Sequence, residues 1–195
     1  MEGATIKFVV TGDPECGKKT LVSRIRRVKN PESEPGVTHL IDRRIGGNKV
    51  NATITDLDGT ERFRAATSST YRGADVVLVM FDASERLDTH KIGEWVGSAE
   101  RYAPNDACIA LVGNKSDKVV SGLGADAEVV KEIAGNHNIT HHYYLSALNG
   151  AEATECMFFE LLRSAHQLKQ GKLASSTRKA NGQTTDSKKK CCVVM

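Results

Sequence analysis

The chain has 195 residues, which suits one domain of ordinary size. With 39% apolar and 26% charged residues it can bury a core, and fibrous or wholly disordered classes are excluded. The net charge is +3, but residues 169–195 hold seven Lys and Arg against Asp186 alone, and the mildly acidic remainder excludes a nucleic-acid-binding fold.

The first apolar run, Ile6-Lys7-Phe8-Val9-Val10, is short and rich in β-branched residues, as expected of a parallel strand covered on both faces. It leads into Gly12-Asp13-Pro14-Glu15-Cys16-Gly17-Lys18-Lys19-Thr20, with a helical stretch over residues 18–28. A glycine-rich loop in this setting turns backbone N–H groups, with those of the helix N-terminus, toward a polyphosphate. Lys18 supplies a cation for the terminal phosphates. Residues 38–45 and 49–55 flank Gly46-Gly47-Asn48 and form a predicted hairpin. Its second strand ends in Asp56-Leu57-Asp58-Gly59, where Asp56 can hold a metal-bound water and Gly59 can offer an N–H to a terminal phosphate.

Two more buried runs follow at 75–81 and 108–112, with helix-period residues over 89–102 between them. Asn114-Lys115-Ser116-Asp117 comes next. Asp117 can accept from the N1–H and the exocyclic amine of guanine, a donor pair that adenine lacks. Asn114 can bridge two loops, and Lys115 can lay its stem along a base. Helices are predicted over 125–135 and 153–168, the latter with Met157, Leu161, Leu162, Ala165 and Leu168 on one face. Between them Ser146-Ala147-Leu148 closes a strand and sets a backbone N–H near a guanine O6. Strand and helix alternating, with one hairpin, predict an α/β three-layer sandwich with one antiparallel edge strand.

No run approaches the roughly 20 apolar residues that span a bilayer, and the N-terminus lacks the form of a signal peptide, so synthesis in the cytosol is expected. The five cysteines show neither metal spacing nor a paired framework, which speaks against a secreted disulfide scaffold and against zinc. His141 and His142, adjacent on a strand, point to opposite faces and make no ligand pair. Trp95 reads as packing. Cys16, near a helix N-terminus, invites a depressed thiol pKa. From Lys169 onward Ser, Thr, Lys, Asn and Gln prevail, and a flexible linker is expected. The chain ends Lys188-Lys189-Lys190-Cys191-Cys192-Val193-Val194-Met195, in which Cys192 heads a C-a-a-X prenylation pattern behind a polybasic run. A prenyl chain and the lysines together would give two-signal anchoring to an anionic leaflet.

The four loop elements stand in order, each at the C-terminal end of a strand, where open α/β sheets bind ligands. They resemble the G motifs of the Ras superfamily of small GTPases over residues 4–168. Glu61-Arg62-Phe63-Arg64, Thr67-Ser68-Ser69 and Tyr71-Arg72-Gly73-Ala74 resemble the Rab branch in particular, and Cys191-Cys192 is similar to Rab tails. The resemblance implies the P-loop small GTPase fold, with a mostly parallel six-stranded sheet, over residues 1–168 and a basic tail over 169–195. It implies a GTP/GDP site built from Gly12, Glu15, Cys16, Gly17, Lys18, Lys19, Thr20, Asp56, Gly59, Asn114, Lys115, Asp117, Ser146, Ala147 and Leu148, with Asp56 in a Mg²⁺ shell. Effector and regulator proteins would meet the switch regions. The implied role is vesicle trafficking on the cytoplasmic face of an intracellular membrane, with a cytosolic pool and with lipid on Cys192 and a second on Cys191. The terminal Met predicts farnesyl, whereas the Rab likeness implies geranylgeranyl.

Four positions depart from the family pattern. Lys19 stands where a Ser or Thr hydroxyl should ligate Mg²⁺, and an ammonium has no lone pair to offer a cation. Thr20, one helical residue on, is rotated away by about 100°. Thr60 takes the place of the Gln that orients the attacking water, so no residue is assigned a catalytic role. Glu15 lies in the loop that should cradle anions, and is expected to face solvent or Lys19. Glu34 occupies the first-switch place of a Thr, with Ser33 and Thr38 as substitutes at hand. Base-reading residues are intact while metal and hydrolysis residues are altered. Two readings stand: a membrane-anchored switch that hydrolyses GTP slowly, and a non-catalytic pseudo-GTPase serving as a scaffold. Lys18-Lys19 adds two opposed expectations, phosphate binding without Mg²⁺, or a solvent-facing Lys19 and lost affinity.

Overall fold

The computed structural model describes residues 5–27, 37–57, 69–120 and 124–180, with side chains as far as 172. Its strands are β1 (Ile6–Gly12), β2 (Thr38–Ile45), β3 (Asn48–Asp56), β4 (Val76–Asp82), β5 (Cys108–Asn114) and β6 (His141–Tyr144). Its helices are α1 (Lys18–Arg26), α2 (Thr89–Tyr102), α3 (Ala127–Asn136) and α4 (Ala151–Ala180), with a 3₁₀ turn at Ser116–Lys118. The strands form one sheet in the order β2-β3-β1-β4-β5-β6. β2 runs antiparallel to β3, and the other pairs are parallel. This is the expected α/β sandwich with one antiparallel edge strand.

Strand periodicity divides the core into two layers. Ile6, Phe8 and Val10 of β1, with Val76, Leu78 and Met80 of β4, pack against Leu21, Val22 and Ile25 of α1 and Phe158, Leu161 and Leu162 of α4. Val9, Val77, Val79 and Phe81 face the other way, onto Ile92, Trp95 and Val96 of α2 and Val130 of α3. The rings of Phe8 and Phe158 lie 4.9 Å apart at the centre of the first layer. Register then decides where the loops meet. Val10 pairs with Asp56, Gly12 with Met80, and Asp82 with Asn114, so the three motif-bearing strand ends share one edge of the sheet.

Three boundaries differ from expectation. The hairpin turn is the two residues Gly46 and Gly47, at φ 55° and 85°, and Asn48 already pairs with Ile45. Both turn positions need positive φ, which glycine takes without a Cβ penalty. α3 begins at Ala127 because the Asp126 side chain accepts from the Glu128 N–H at 2.9 Å, a side-chain cap that sequence periodicity does not reveal. The largest correction concerns α4, which runs on to Ala180, so residues 169–180 are helical where a flexible linker was expected. Lys169 explains the start of that extension. Its ammonium donates to Thr5 O at 2.8 Å and pairs with Asp75 Oδ2 at 2.8 Å, docking the helix on the edge of the body.

Candidate functional site

The loop after β1 is fixed by two close approaches. At Gly12 (φ +130°) a Cβ would lie 2.0 Å from Met80 O, and at Gly17 (φ +93°) it would lie 2.3 Å from Asn114 Nδ2. Only glycine fits at either place. α2 and α3 start with Asp88 and Asp126 side chains on their first-turn amides, whereas α1 starts at Gly17 with no side-chain cap. Its first turn thus lacks the carboxylate cap of the other two, and an anion suits its N–H donors. Lys18 is buried, with its ammonium donating to Gly12 O at 2.9 Å and Asp13 O at 2.6 Å. A third, longer contact runs to Cys16 Sγ at 3.9 Å, so all three donors turn toward the loop.

Other loop residues take less expected roles. Glu15 sits at φ 60° and is exposed, as is Lys19, while Thr20 is half-buried in α1. Cys16 is 1% exposed, and burial pushes its thiol up to about 11 against the opposing charge of Lys18. The depressed thiol pKa expected from the helix terminus is therefore corrected: desolvation of the thiolate outweighs the helix field. Trp95 does more than pack. Its Nε1 donates to Asp13 Oδ1 at 2.9 Å, linking α2 to the loop.

At the end of β3, Asp56 is 1% exposed and its Oδ1 has no hydrogen-bond partner among the described residues. Burial pushes its carboxyl above the ordinary 3.8, while its own backbone N–H and the charges of His39, Lys19 and Lys18 pull the other way. Thr38, a substitute at hand for the first-switch hydroxyl, is held on β2 with its Oγ1 2.7 Å from Thr55 Oγ1. Asp56 suits a cation, but Lys19 at the expected hydroxyl position brings a positive charge and no lone pair. Among the described residues, the hydroxyl that the family pattern implies beside Asp56 is replaced by the Lys19 ammonium. Gly59, Thr60, Ser33, Glu34, the 61–64 segment, Cys191 and Cys192 lie outside the described residues.

The third loop is tied to the first by one side chain. Asn114, 3% exposed, donates from Nδ2 to Cys16 O at 2.8 Å and accepts at Oδ1 from the Ala147 N–H at 2.8 Å. The Ala147 amide is thus engaged inside the protein. Asp117 is exposed, and its carboxylate is held below the usual range by the Ser146 hydroxyl, with the Asn149 amide donating at 3.1 Å. Lys115, in the left-handed region at φ 62°, pairs its ammonium with Asp82 Oδ2. The hydrogen bond to Asp82 holds the Lys115 pKa up. Leu148 is exposed at the rim.

Four residues of this frame carry no motif: Asp82, Trp95, Asn149 and Arg24. Arg24 of α1 donates from Nε to Ala147 O at 3.0 Å and from its terminal nitrogen to Leu148 O. Such contacts join positions far apart in the chain, and no local spacing announces them. Among the described residues no group of three His, Cys, Asp or Glu could hold a metal ion, and no helix is long and apolar enough to cross a membrane.

A sequence model of the Ras family matches residues 7–167. Similar proteins include Ras-related protein RABA3 of Arabidopsis thaliana, 37% identical over 80% of this chain and 67% of its own length. Ras-related protein RABA6b of the same plant is 33% identical over 88% of this chain and 76% of its own. GTP-binding protein ypt3 of Schizosaccharomyces pombe is 31% identical over 80% and 76%.

Proposed function

Because this chain belongs to the Ras family and is a Rab-like small GTPase, we propose that it is a guanine-nucleotide switch of vesicle traffic with slow hydrolysis. The observation that carries the reading is the pair of bonds made by Asn114, which sets the phosphate loop at Cys16 and the base loop at Ala147 in one register. A nucleotide spans those two loops. The uncapped start of α1 and the Lys18 ammonium meet its phosphates, and Asp117 meets the base edge.

Slow turnover follows from what stands at the chemical end. Lys19 supplies no metal ligand, and Thr60 is too short to orient a water as a Gln does. Membrane attachment rests on Cys191-Cys192 behind Lys188-Lys189-Lys190, with Cys192 as the prenyl acceptor and Cys191 as a second lipid site. Effector and regulator proteins meet the switch segments on the cytoplasmic face of the membrane.

Displacement of a fluorescent GDP analogue from the full chain tests the nucleotide. Unlabelled GDP should displace it, while ATP should fail at about a ten-thousand-fold excess, since a site built to pair a donor rejects the analogue that lacks it. Equal competition by ATP would end the guanine assignment. Multiple-turnover phosphate release separates the two catalytic readings, because a pseudo-GTPase yields less than one phosphate per chain however long it is incubated. Cys192→Ser should move the protein from the membrane to the soluble fraction.

A further inference from the structure

We propose that Lys19 stands in for the divalent cation, its ammonium bridging the Asp56 carboxylate and the terminal phosphates of the bound nucleotide. The inference rests on the guanine-nucleotide reading above and deepens it.

Asp56 supplies the first half of the argument. A carboxyl this buried, with an oxygen that no described residue satisfies, stays ionised only with a cation beside it. The described groups whose charge acts on it are His39, Lys19 and Lys18. Lys18 is committed to Gly12 O and Asp13 O. His39 is itself half-buried, its Nε2 has no partner, and burial then the Arg26 charge lower its pKa against the pull of Asp56, which makes it the weakest cation of the three. Lys19 is left. It is exposed on the first turn of α1, in no ion pair among the described residues, on a four-carbon stem long enough to swing to the loop mouth.

The phosphate side supplies the second half. The first turn of α1 is uncapped, so an anion bound there comes within reach of both Lys18 and Lys19. A divalent ion entering the same space meets the Lys19 charge at close range and finds no hydroxyl to hold it. Lys19 therefore weakens metal binding while supplying part of the charge that the metal would bring.

The test measures affinity of the full chain for a fluorescent GDP analogue, in excess magnesium and in excess EDTA, for the wild type, Lys19→Ser and Lys19→Met. The wild type should hold the analogue within about threefold across the two conditions, and Lys19→Met should lose about tenfold or more in EDTA, the scale of one charge-assisted hydrogen bond. Lys19→Ser should bind poorly in EDTA and regain affinity with magnesium. Melting temperatures in the absence of nucleotide should stay level, since the side chain is exposed. A wild type that loses the analogue in EDTA overturns the inference while leaving the guanine site standing. So does a Lys19→Met chain unaffected in EDTA. No binding by any chain in either condition overturns the guanine reading itself.

Discussion

The indole Nε1 of Trp95 donates to Asp13 Oδ1 at 2.9 Å, fastening the middle of α2 to the loop that opens α1. Asp13 precedes the residues that would surround a phosphate, so the indole steadies the loop from behind. Trp95→Phe keeps most of the apolar contact and removes the donor. It should weaken guanine-nucleotide affinity about fivefold, the worth of roughly one net hydrogen bond of 1 kcal/mol. Stopped-flow dissociation of labelled GDP would read this as a faster off-rate.

Asn114 is the costlier loss. Asn114→Ala leaves the Cys16 carbonyl and the Ala147 N–H unpaired in a buried place. At about 1–3 kcal/mol for each of the two unsatisfied groups, unfolding free energy should fall by about 2–6 kcal/mol even without nucleotide. Urea titration should show a lower midpoint at an unchanged slope. A variant that binds poorly yet unfolds normally would assign Asn114 to the ligand alone.

Acid should loosen the base loop through Asp82. Burial raises that carboxyl, but hydrogen bonds from Lys115 and Ser84 prevail and hold it below the ordinary 3.8. A carboxyl depressed in the folded state contributes stability above its unfolded value, lost as pH falls through the folded one. The Asp82–Lys115 pair therefore supports the fold at neutral pH, and its contribution declines below about pH 4. Lys115→Met removes that partner and should narrow the stability difference between pH 6 and pH 3, as followed by circular dichroism.

Lys169 offers a test on the far side of the domain. Its ammonium is shared between Thr5 O and both oxygens of Asp75, which also accepts from the Lys7 N–H at 2.8 Å. A chain ending at residue 168 should melt below one ending at 180 by about 2–4 °C, the shift expected of about 1 kcal/mol in a domain of this size. Lys169→Met in the longer chain should reproduce most of the loss.

Strand and helix identity was largely legible because periodicity is local: Thr38–Ile45 and Thr89–Tyr102 appear in the structure with the bounds that their patterns predict. Helix ends were less so. Asp126 caps α3 through one side-chain bond, and α4 outlasts its apolar stripe because Lys169 finds partners at Thr5 and Asp75, just before β1 and β4. At the site, loop spacing pointed to Gly12, Lys18, Asn114 and Asp117, since backbone geometry and side-chain chemistry limit those places to few residue types. Arg24, Asp82, Asn149 and the bond from Trp95 to Asp13 escaped notice, because each acts through tertiary contact. The engaged Ala147 amide and the raised Cys16 thiol escaped for a related reason: both depend on what the fold packs around them.

α4 continues past its anchor at Lys169 as far as Ala180. At 1.5 Å per residue its last stretch rises about 18 Å beyond Leu168. A force applied at Ala180 reaches the sheet along a strut gripped at Thr5 and Asp75. The heading of that strut thus steers the tilt of the domain, and the rim that carries Asn114 and Lys19 is aimed by a lever rooted at the opposite edge of the same sheet.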